Sequence, residues 1–176
     1  MTTMMTKVRM LTDTEMIINR VFDASPELVY KAWTDPALMA RWWGPQEFTS
    51  SVCKMDVRPG GAYRIVMRSP EGKDYPTVGT YQEVVENERL IFSDTFDELP
   101  QEWLDELRSH LPPGASKSIP PDIVTASFED QDGKTLLTVT SRFESKALRD
   151  AIVQMGVAEV WAQSLDKLEE LLAMIS

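Results

Sequence analysis

The sequence predicts an α+β fold in which a curved antiparallel sheet wraps around a long C-terminal helix. Residues 145–175 contain no proline, and a stripe at alternating steps of three and four lies on one helical face, formed by Ala151, Gln154, Ala158, Trp161, Leu165, Leu168 and Leu172. Residues 52–139 read as short strands broken by Gly, Pro, Asp and Asn. A helix of about eight turns can bury such a stripe only against a large surface. We therefore expect function in the space between helix and sheet.

Two short helices are predicted between the first strand, residues 15–22, and the rest of the sheet. Ser25 is a helix-capping residue with Pro26 at the first helical position, and Asp35-Pro36 repeats the pattern. Gly44-Pro45 ends the second helix. The polar residues 1–13 form either a loose N-terminal segment or an early edge strand, and residues 14–176 form a single domain.

The remaining strands are predicted to follow one another through tight turns. Alternation is clearest at 62–68, where Tyr63, Ile65 and Met67 share one face. No βαβ rhythm occurs, so an antiparallel meander is expected rather than a doubly wound fold. The predicted strands cover residues 48–57, 62–68, 77–85, 89–96, 124–129 and 135–143.

An acidic insertion, residues 97–121, interrupts this meander. Residues 101–111 read as a short helix with Trp103, Leu104 and Leu107 on one side. Such large apolar side chains do not stay in water. We expect them to lie over the mouth of a cavity or against a second subunit, so a homodimer remains an alternative.

Composition excludes several classes of function. The net charge of −10 argues against nonspecific nucleic-acid binding and against an anionic membrane surface. Cys53 is the only cysteine and His110 the only histidine, so we expect no metal, no cofactor and no Ser-His-Asp triad. The N-terminus has no apolar run of signal-peptide length, and a cytoplasmic location fits these features.

The inward strand faces and the helical stripe predict one ligand cavity. Of the adjacent Trp42 and Trp43, one should pack in the core and the other at an opening. Gly156 could let a ligand approach the helix closely, or simply allow tight packing. The residues expected to line or approach the cavity are Trp42, Phe48, Tyr63, Ile65, Met67, Tyr81, Phe92, Val139, Gly156 and Trp161.

Charged residues on the strands give a second set of candidates. Most should face solvent, and any that points inward must be paired. Such a residue could orient a ligand or do acid–base work. The strand charges considered are Arg20, Asp56, Arg64, Arg68, Glu83, Asp94 and Arg142.

Several motifs, in order, resemble SRPBCC proteins of the activator-of-heat-shock-ATPase group, in particular its C-terminal domain. The resemblance covers about residues 15–173. It implies a helix-grip fold, related to START-type and birch-pollen-allergen domains, with a deep cavity between sheet and last helix. The insertion at 97–121 is longer and more acidic than the family pattern. The motifs are the segment Arg20 to Pro36, Trp42-Trp43-Gly44-Pro45, Met55 to Gly61, Gly79-Thr80-Tyr81, Glu88 to Phe92, and Met155-Gly156 through Trp161 to Leu165.

Three functions are compatible with these features. The first is binding of a small hydrophobic or aromatic molecule in the cavity, with no catalytic residue assigned. The second is a metal-free enzyme of the cyclase, dehydratase or hydrolase type, which needs buried titratable side chains. The third is regulation of a chaperone ATPase, which rests on the family label alone.

Overall fold

One antiparallel sheet forms the frame of the protein in a computed structural model that describes residues 6–10, 12–114 and 119–175. Its strand order is β1-β2-β8-β7-β6-β5-β4-β3, so β2 pairs with β8 and the other neighbours are consecutive. The sheet is thus a meander from β3 to β8 whose last strand pairs with β2. The strands are β1 (Lys7–Arg9), β2 (Glu15–Phe22), β3 (Thr49–Met55), β4 (Ala62–Arg68), β5 (Asp74–Val85), β6 (Arg89–Asp94), β7 (Asp122–Gln131) and β8 (Lys134–Arg142).

The helices begin where the capping residues predict. Ser25 accepts a hydrogen bond from the Leu28 amide, and Asp35 accepts one from the Ala37 amide at 2.9 Å. A proline occupies the first turn of each of these helices. The helices in the described part of the chain are α1 (Pro26–Thr34), α2 (Pro36–Trp42), α3 (Gln101–Ser109), α4 (Lys146–Gln154) and α5 (Val157–Ile175).

The C-terminal helix is two helices, which corrects the prediction of one continuous helix from 145 to 175. Gly156 has φ +91° and separates α4 from α5. This left-handed conformation suits glycine, which has no Cβ to clash. A Cβ at Gly156 would meet only Glu159 Oε2, at 3.7 Å, so the glycine is explained by backbone conformation rather than by close approach of a ligand. Its neighbours Met155 and Val157 consequently lie at the junction.

The core fills the space between the inner face of the sheet and α1, α2 and α5. The inner-face residues Met16, Ile18 and Phe22 of β2 are each at most 1% exposed, and Leu165 and Leu168 of α5 are fully buried. This arrangement confirms the predicted α+β helix-grip fold, with α1 and α2 placed after β2. At the N-terminus, Lys7–Arg9 form an edge strand against β2.

Arg20 is the one charged residue of β2 that faces this core. Its side chain is 1% exposed, and its Nη1 donates to Asp166 Oδ1 of α5 at 2.6 Å. Nη2 lies 3.2 Å from Glu169 Oε2 on the next turn. Nη1 also donates to the Thr6 hydroxyl at 3.1 Å. The buried guanidinium is therefore compensated by two carboxylates, as a buried charge must be.

None of the helices in the described part of the chain has the length and apolar character that crossing a bilayer requires.

Candidate functional site

A cavity of about 170 Å³ lies at one end of the core, where β4, β5 and β6 approach α3 and the α4–α5 junction. Met67 of β4 and residues 75–77 of β5 form the sheet side. Leu99 and Trp103 close it from the insertion, together with Phe96, which comes just before the insertion. The helix side consists of Ile152, Met155, Val157, Val160, Trp161 and Ser164, with Trp43 and Gly44 beside them.

Trp43 and Trp161 form an aromatic wall of the cavity. Their ring centroids are 5.3 Å apart in an edge-to-face arrangement, and Trp161 also stacks on Trp33 at 6.0 Å. Trp42 is fully buried, and its Nε1 donates to the Ala32 carbonyl at 2.9 Å. The adjacent tryptophans thus divide as predicted, one into the core and one at the cavity. However, Trp42, the residue chosen as cavity-lining, is the core residue, and Trp43 is the lining one.

The loop that carries Trp43 is fixed to α5 by hydrogen bonds. Ser164 Oγ accepts from the Gly44 amide and donates to the Gly44 carbonyl, both at 3.0 Å. Lys167 Nζ donates to the carbonyl of Pro45 at 3.1 Å. Gly44 has φ +101°, and a Cβ there would meet Met67 Sδ at 2.9 Å. The left-handed backbone conformation favours glycine at position 44, and the hydrogen bonds from Ser164 and Lys167 position the loop that carries Trp43.

The insertion supplies part of the cavity wall. Trp103 of α3 lines the cavity, and its ring stacks on that of Phe96 at 5.9 Å with an interplanar angle of 9°. Leu104 and Leu107, on the same helix, are 8% and 0% exposed and belong to the core. The sequence predicts that this apolar face lies either over the mouth of a cavity or against a second subunit. In the structure it packs onto its own chain, with Trp103 at the cavity.

One carboxyl group lines the polar end of the cavity, and a second lies opposite it on the next strand. Asp94, on β6, lines the cavity and is the direct cross-strand partner of Asp122 on β7. Tyr63 Oη donates to the Ser93 carbonyl at 2.9 Å and lies 3.5 Å from Asp94 Oδ1. Asp122 is 5% exposed, and its Oδ1 is buried without a hydrogen-bond partner among the described residues. We call Asp94 and Asp122 the acid pair.

Burial and mutual repulsion favour the protonated forms of the acid pair. Burial raises the pKa of Asp94 to about 7. Burial, followed by the nearby Asp94 charge, raises the pKa of Asp122 well above its usual range. Burial also raises the pKa of Tyr63 far above 10, so its hydroxyl stays a donor. A pair of this kind holds at least one proton at neutral pH.

The ten predicted ligand residues do not surround one cavity, which corrects that prediction. Met67 and Trp161 line the main cavity. Trp42 and Val139 are fully buried core residues. Phe48 packs on Tyr75, with ring centroids 5.7 Å apart, and Gly156 separates two helices. A neighbouring void of about 10 Å³ is lined by the remaining four, Tyr63, Ile65, Tyr81 and Phe92.

This second void lies next to the main cavity, and Trp43 borders both. Its volume is about that of one water molecule. Trp33 borders it too, and the buried Trp33 Nε1 has no hydrogen-bond partner within the described residues. Tyr63, Ile65, Tyr81 and Phe92 are buried on the sheet, where they pack against one another instead of enclosing space for a ligand.

Other chemically active residues do not join the site. Cys53 is a partly buried strand residue beside Met55, and burial raises the pKa of its thiol to about 11, which disfavours a thiolate. His110 is exposed at the end of α3. Across residues 6–10, 12–114 and 119–175, no three His, Cys, Asp or Glu side chains are grouped to hold a metal ion.

A family model described as "Activator of Hsp90 ATPase homolog 1-like protein" matches residues 23–173. The chain belongs to this family. Membership confirms the resemblance inferred from the motifs, and the matched range includes every cavity-lining residue. A search of curated protein sequences gives no match to this chain.

Solved structures share the fold of this member of the Activator of Hsp90 ATPase homolog 1-like family. Protein NE0264 from Nitrosomonas europaea is 25% identical, with TM-score 0.76 over 94% of this chain and 97% of that one. A protein from Arthrobacter aurescens is 22% identical, with TM-score 0.79 over 96% and 91%. Protein Ms6760 from Mycobacterium smegmatis is 24% identical, with TM-score 0.76 over 94% and 95%. Identities this low describe the fold alone.

Proposed function

We propose that the protein binds a small, largely apolar molecule containing one ring in the cavity beside Trp43 and Trp161. The observation that supports this most is the cavity itself, an apolar space with aromatic walls and one polar end. Hydrophobic ligands are common in the SRPBCC fold to which the family belongs.

The volume limits the ligand. Drug-sized ligands occupy pockets of roughly 300–1,000 Å³. The 170 Å³ available here is closer to the roughly 150 Å³ of an engineered apolar cavity that accepts benzene. We therefore propose a ligand of one ring with short substituents, rather than a lipid or a polycyclic compound.

Toluene is a suitable first probe because it has one ring and no polar group. We expect saturable binding, measured by NMR shifts of the Met67 and Met155 methyl groups, which border the cavity. Val160→Phe, which places a ring in the cavity, should abolish these shifts. Val8→Phe is the matched control, since Val8 is 39% exposed on β1. Toluene binding unaffected by Val160→Phe would contradict the proposal.

A metal-free enzyme is the second candidate, and the acid pair favours it. Asp94 lines the cavity with a pKa of about 7, the range in which a general acid or base works best. The test is chemical turnover of a bound ligand that Asp94→Asn abolishes while binding persists. Chaperone regulation rests on the family description, and an ATPase stimulation assay would test it.

A further inference from the structure

We propose that the preferred ligand of the cavity is a small cationic amine carrying one apolar ring, with its ammonium group donating to the carboxylate of Asp94. This inference rests on the proposed function and narrows it to a class of ligand. Asp122 lies opposite Asp94 on the neighbouring strand. In this proposal it is a positioning residue that keeps a proton and leaves Asp94 to carry the negative charge.

The first support is the position of the acid pair. Residues that alternate along β6 and β7 share the inner face, where Leu90 and Phe92 on β6 and Val124 on β7 are each at most 6% exposed. Asp94 and Asp122 continue these two rows and are directly opposed. Directly opposed like charges are destabilising, so this placement is costly for a purely structural role.

The second support is the missing cation. Among the described residues, no Lys, Arg or His lines the cavity. The titratable groups that face Asp94 are Tyr63 from β4 and Asp122 from β7, while Tyr75 of β5 lines the same cavity. Arg64, the cation of β4 adjacent to Tyr63, already pairs with Glu98 at 2.7 Å. The helices contribute apolar side chains and the Ser164 hydroxyl. Within the described part of the chain, no side-chain cation is thus left for Asp94, and in our proposal the ligand supplies it.

The third support is the unsatisfied polarity of the pair. Asp122 is 5% exposed, and its buried Oδ1 has no hydrogen-bond partner among the described residues. Buried polar atoms without partners are uncommon and costly. A proton on Asp122 avoids an uncompensated buried charge there, and it leaves Asp94, the member of the pair that lines the cavity, to meet the ligand.

The aromatic walls favour the same ligand. Trp43, Trp103 and Trp161 border the cavity together with Phe96 and Tyr75. Ring faces attract cations, most strongly when water is excluded, and they also pack against an apolar ring. An anionic ligand of the same shape would instead meet Asp94 and negative ring faces.

Protonation of the pair then makes binding depend on pH. With a pKa of about 7, the ionised fraction of Asp94 rises from about one tenth at pH 6 to about nine tenths at pH 8. An ammonium ligand needs the carboxylate form, whereas a neutral ring does not. We therefore expect the affinity for an amine to rise up to about ninefold between these pH values, with no change for a hydrocarbon.

Benzylamine, toluene and benzoate are three probes of similar shape that differ in charge. Isothermal titration calorimetry at pH 6 and pH 8 would compare their affinities for the full chain. We expect benzylamine to bind at least tenfold more tightly than toluene at pH 8, and benzoate to bind more weakly than either. Benzylamine that binds no more tightly than toluene, or whose affinity is equal at both pH values, would overturn the inference while leaving the proposed function intact. If none of the three binds, the proposed function fails as well.

Asp94→Asn separates the charge from the shape of the site. It should lower benzylamine affinity at pH 8 at least tenfold and remove its pH dependence, with toluene affinity unchanged. Asp97→Asn, on the exposed connection that follows β6, is the matched control and should change neither. Unchanged benzylamine affinity in Asp94→Asn would overturn the inference. If Asp94→Asn does not fold, the pH dependence of the unaltered protein still decides the question.

Discussion

The inner face of the sheet carries two buried charged sites, and they are built on opposite principles. On β2, Arg20 is 1% exposed and meets Asp166 and Glu169 of α5. On β6 and β7, Asp94 and Asp122 face each other, and no described basic residue lines the adjacent cavity. The charge of Arg20 is neutralised within the fold, by an ion pair that links the sheet to α5. The charge of the acid pair is left to be neutralised by a proton or by a ligand. The difference separates a structural ion pair from a candidate binding site.

The largest expected effect comes from removing the compensation of Arg20. Asp166→Ala combined with Glu169→Ala should lower the free energy of unfolding by about 3 kcal/mol. This is the low end for breaking a buried ion pair, because the two carboxylates are 49% and 37% exposed and water can enter when they are removed. Urea denaturation measures the loss. Glu170→Ala, exposed on the same helix, is the control. A loss below about 1 kcal/mol would show that the Arg20 site stabilises the fold no more than a surface ion pair does.

A smaller effect is expected at Trp161, where the same helix meets the cavity. Trp161→Ala should cost about 2 kcal/mol, less than the roughly 3–5 kcal/mol usual for a buried tryptophan, because part of its ring already borders empty space. Trp33→Ala, at a ring that is 1% exposed and does not line the main cavity, supplies the buried reference. If the two variants have the same dependence of unfolding free energy on denaturant concentration, their denaturation midpoints give the difference in stability between them. Equal losses would assign Trp161 to the core and remove it from the cavity wall.

The smallest expected effect is a gain in stability rather than a loss. Asp122→Asn should raise the free energy of unfolding at pH 8 by about 1–2 kcal/mol, because Asp122 must take up a proton to be buried on folding at this pH and an amide need not. Below about pH 4 both forms of the protein have neutral side chains at this position, so the gain should vanish there.

The sign follows from proton binding. The folded acid pair holds more protons than the unfolded chain between about pH 4 and 7, so stability falls as pH rises through this window. In Asp122→Asn that decline should be shallower, since only Asp94 remains to titrate. Thermal unfolding at pH 4, 6 and 8 tests this, with Asp130→Asn at the exposed end of β7 as the control. A variant less stable than the unaltered protein at pH 8 would mean that the Asp122 charge is favourable.

Local chemistry made much of the fold predictable. The capping residues Ser25 and Asp35 each mark a real helix start, and alternation over 62–68 gives the β4 bounds as observed. The break at Gly156 is not predictable from the sequence, because a glycine within a helix costs only about 1 kcal/mol. The residue type alone does not indicate whether its φ angle is helical or left-handed. Helical periodicity on both sides persists across the break, so the sequence pattern hides it.

The site was less predictable because its position depends on long-range packing. Residues 74–76 lie outside the predicted strand 77–85, yet they extend β5 along the cavity. Asp122 follows two prolines and fell outside the predicted strand, although β7 begins there and places it opposite Asp94. Strand alternation identified the inward rows of side chains, but it could not show where those rows pack tightly and where α3 leaves space. A buried acid in two adjacent inward rows is the signal that could have identified the pair.

The aromatic wall also gives the protein a built-in optical sensor. Four of its five tryptophans form one connected cluster, with neighbouring ring centroids 5.1–6.4 Å apart. Excitation absorbed by any of these indoles can pass to the others, so emission is shared among Trp33, Trp42, Trp43 and Trp161. Since Trp43 and Trp161 border the cavity, an occupant that quenches either ring dims the whole cluster. Occupancy of a site of this size can thus be followed without any label.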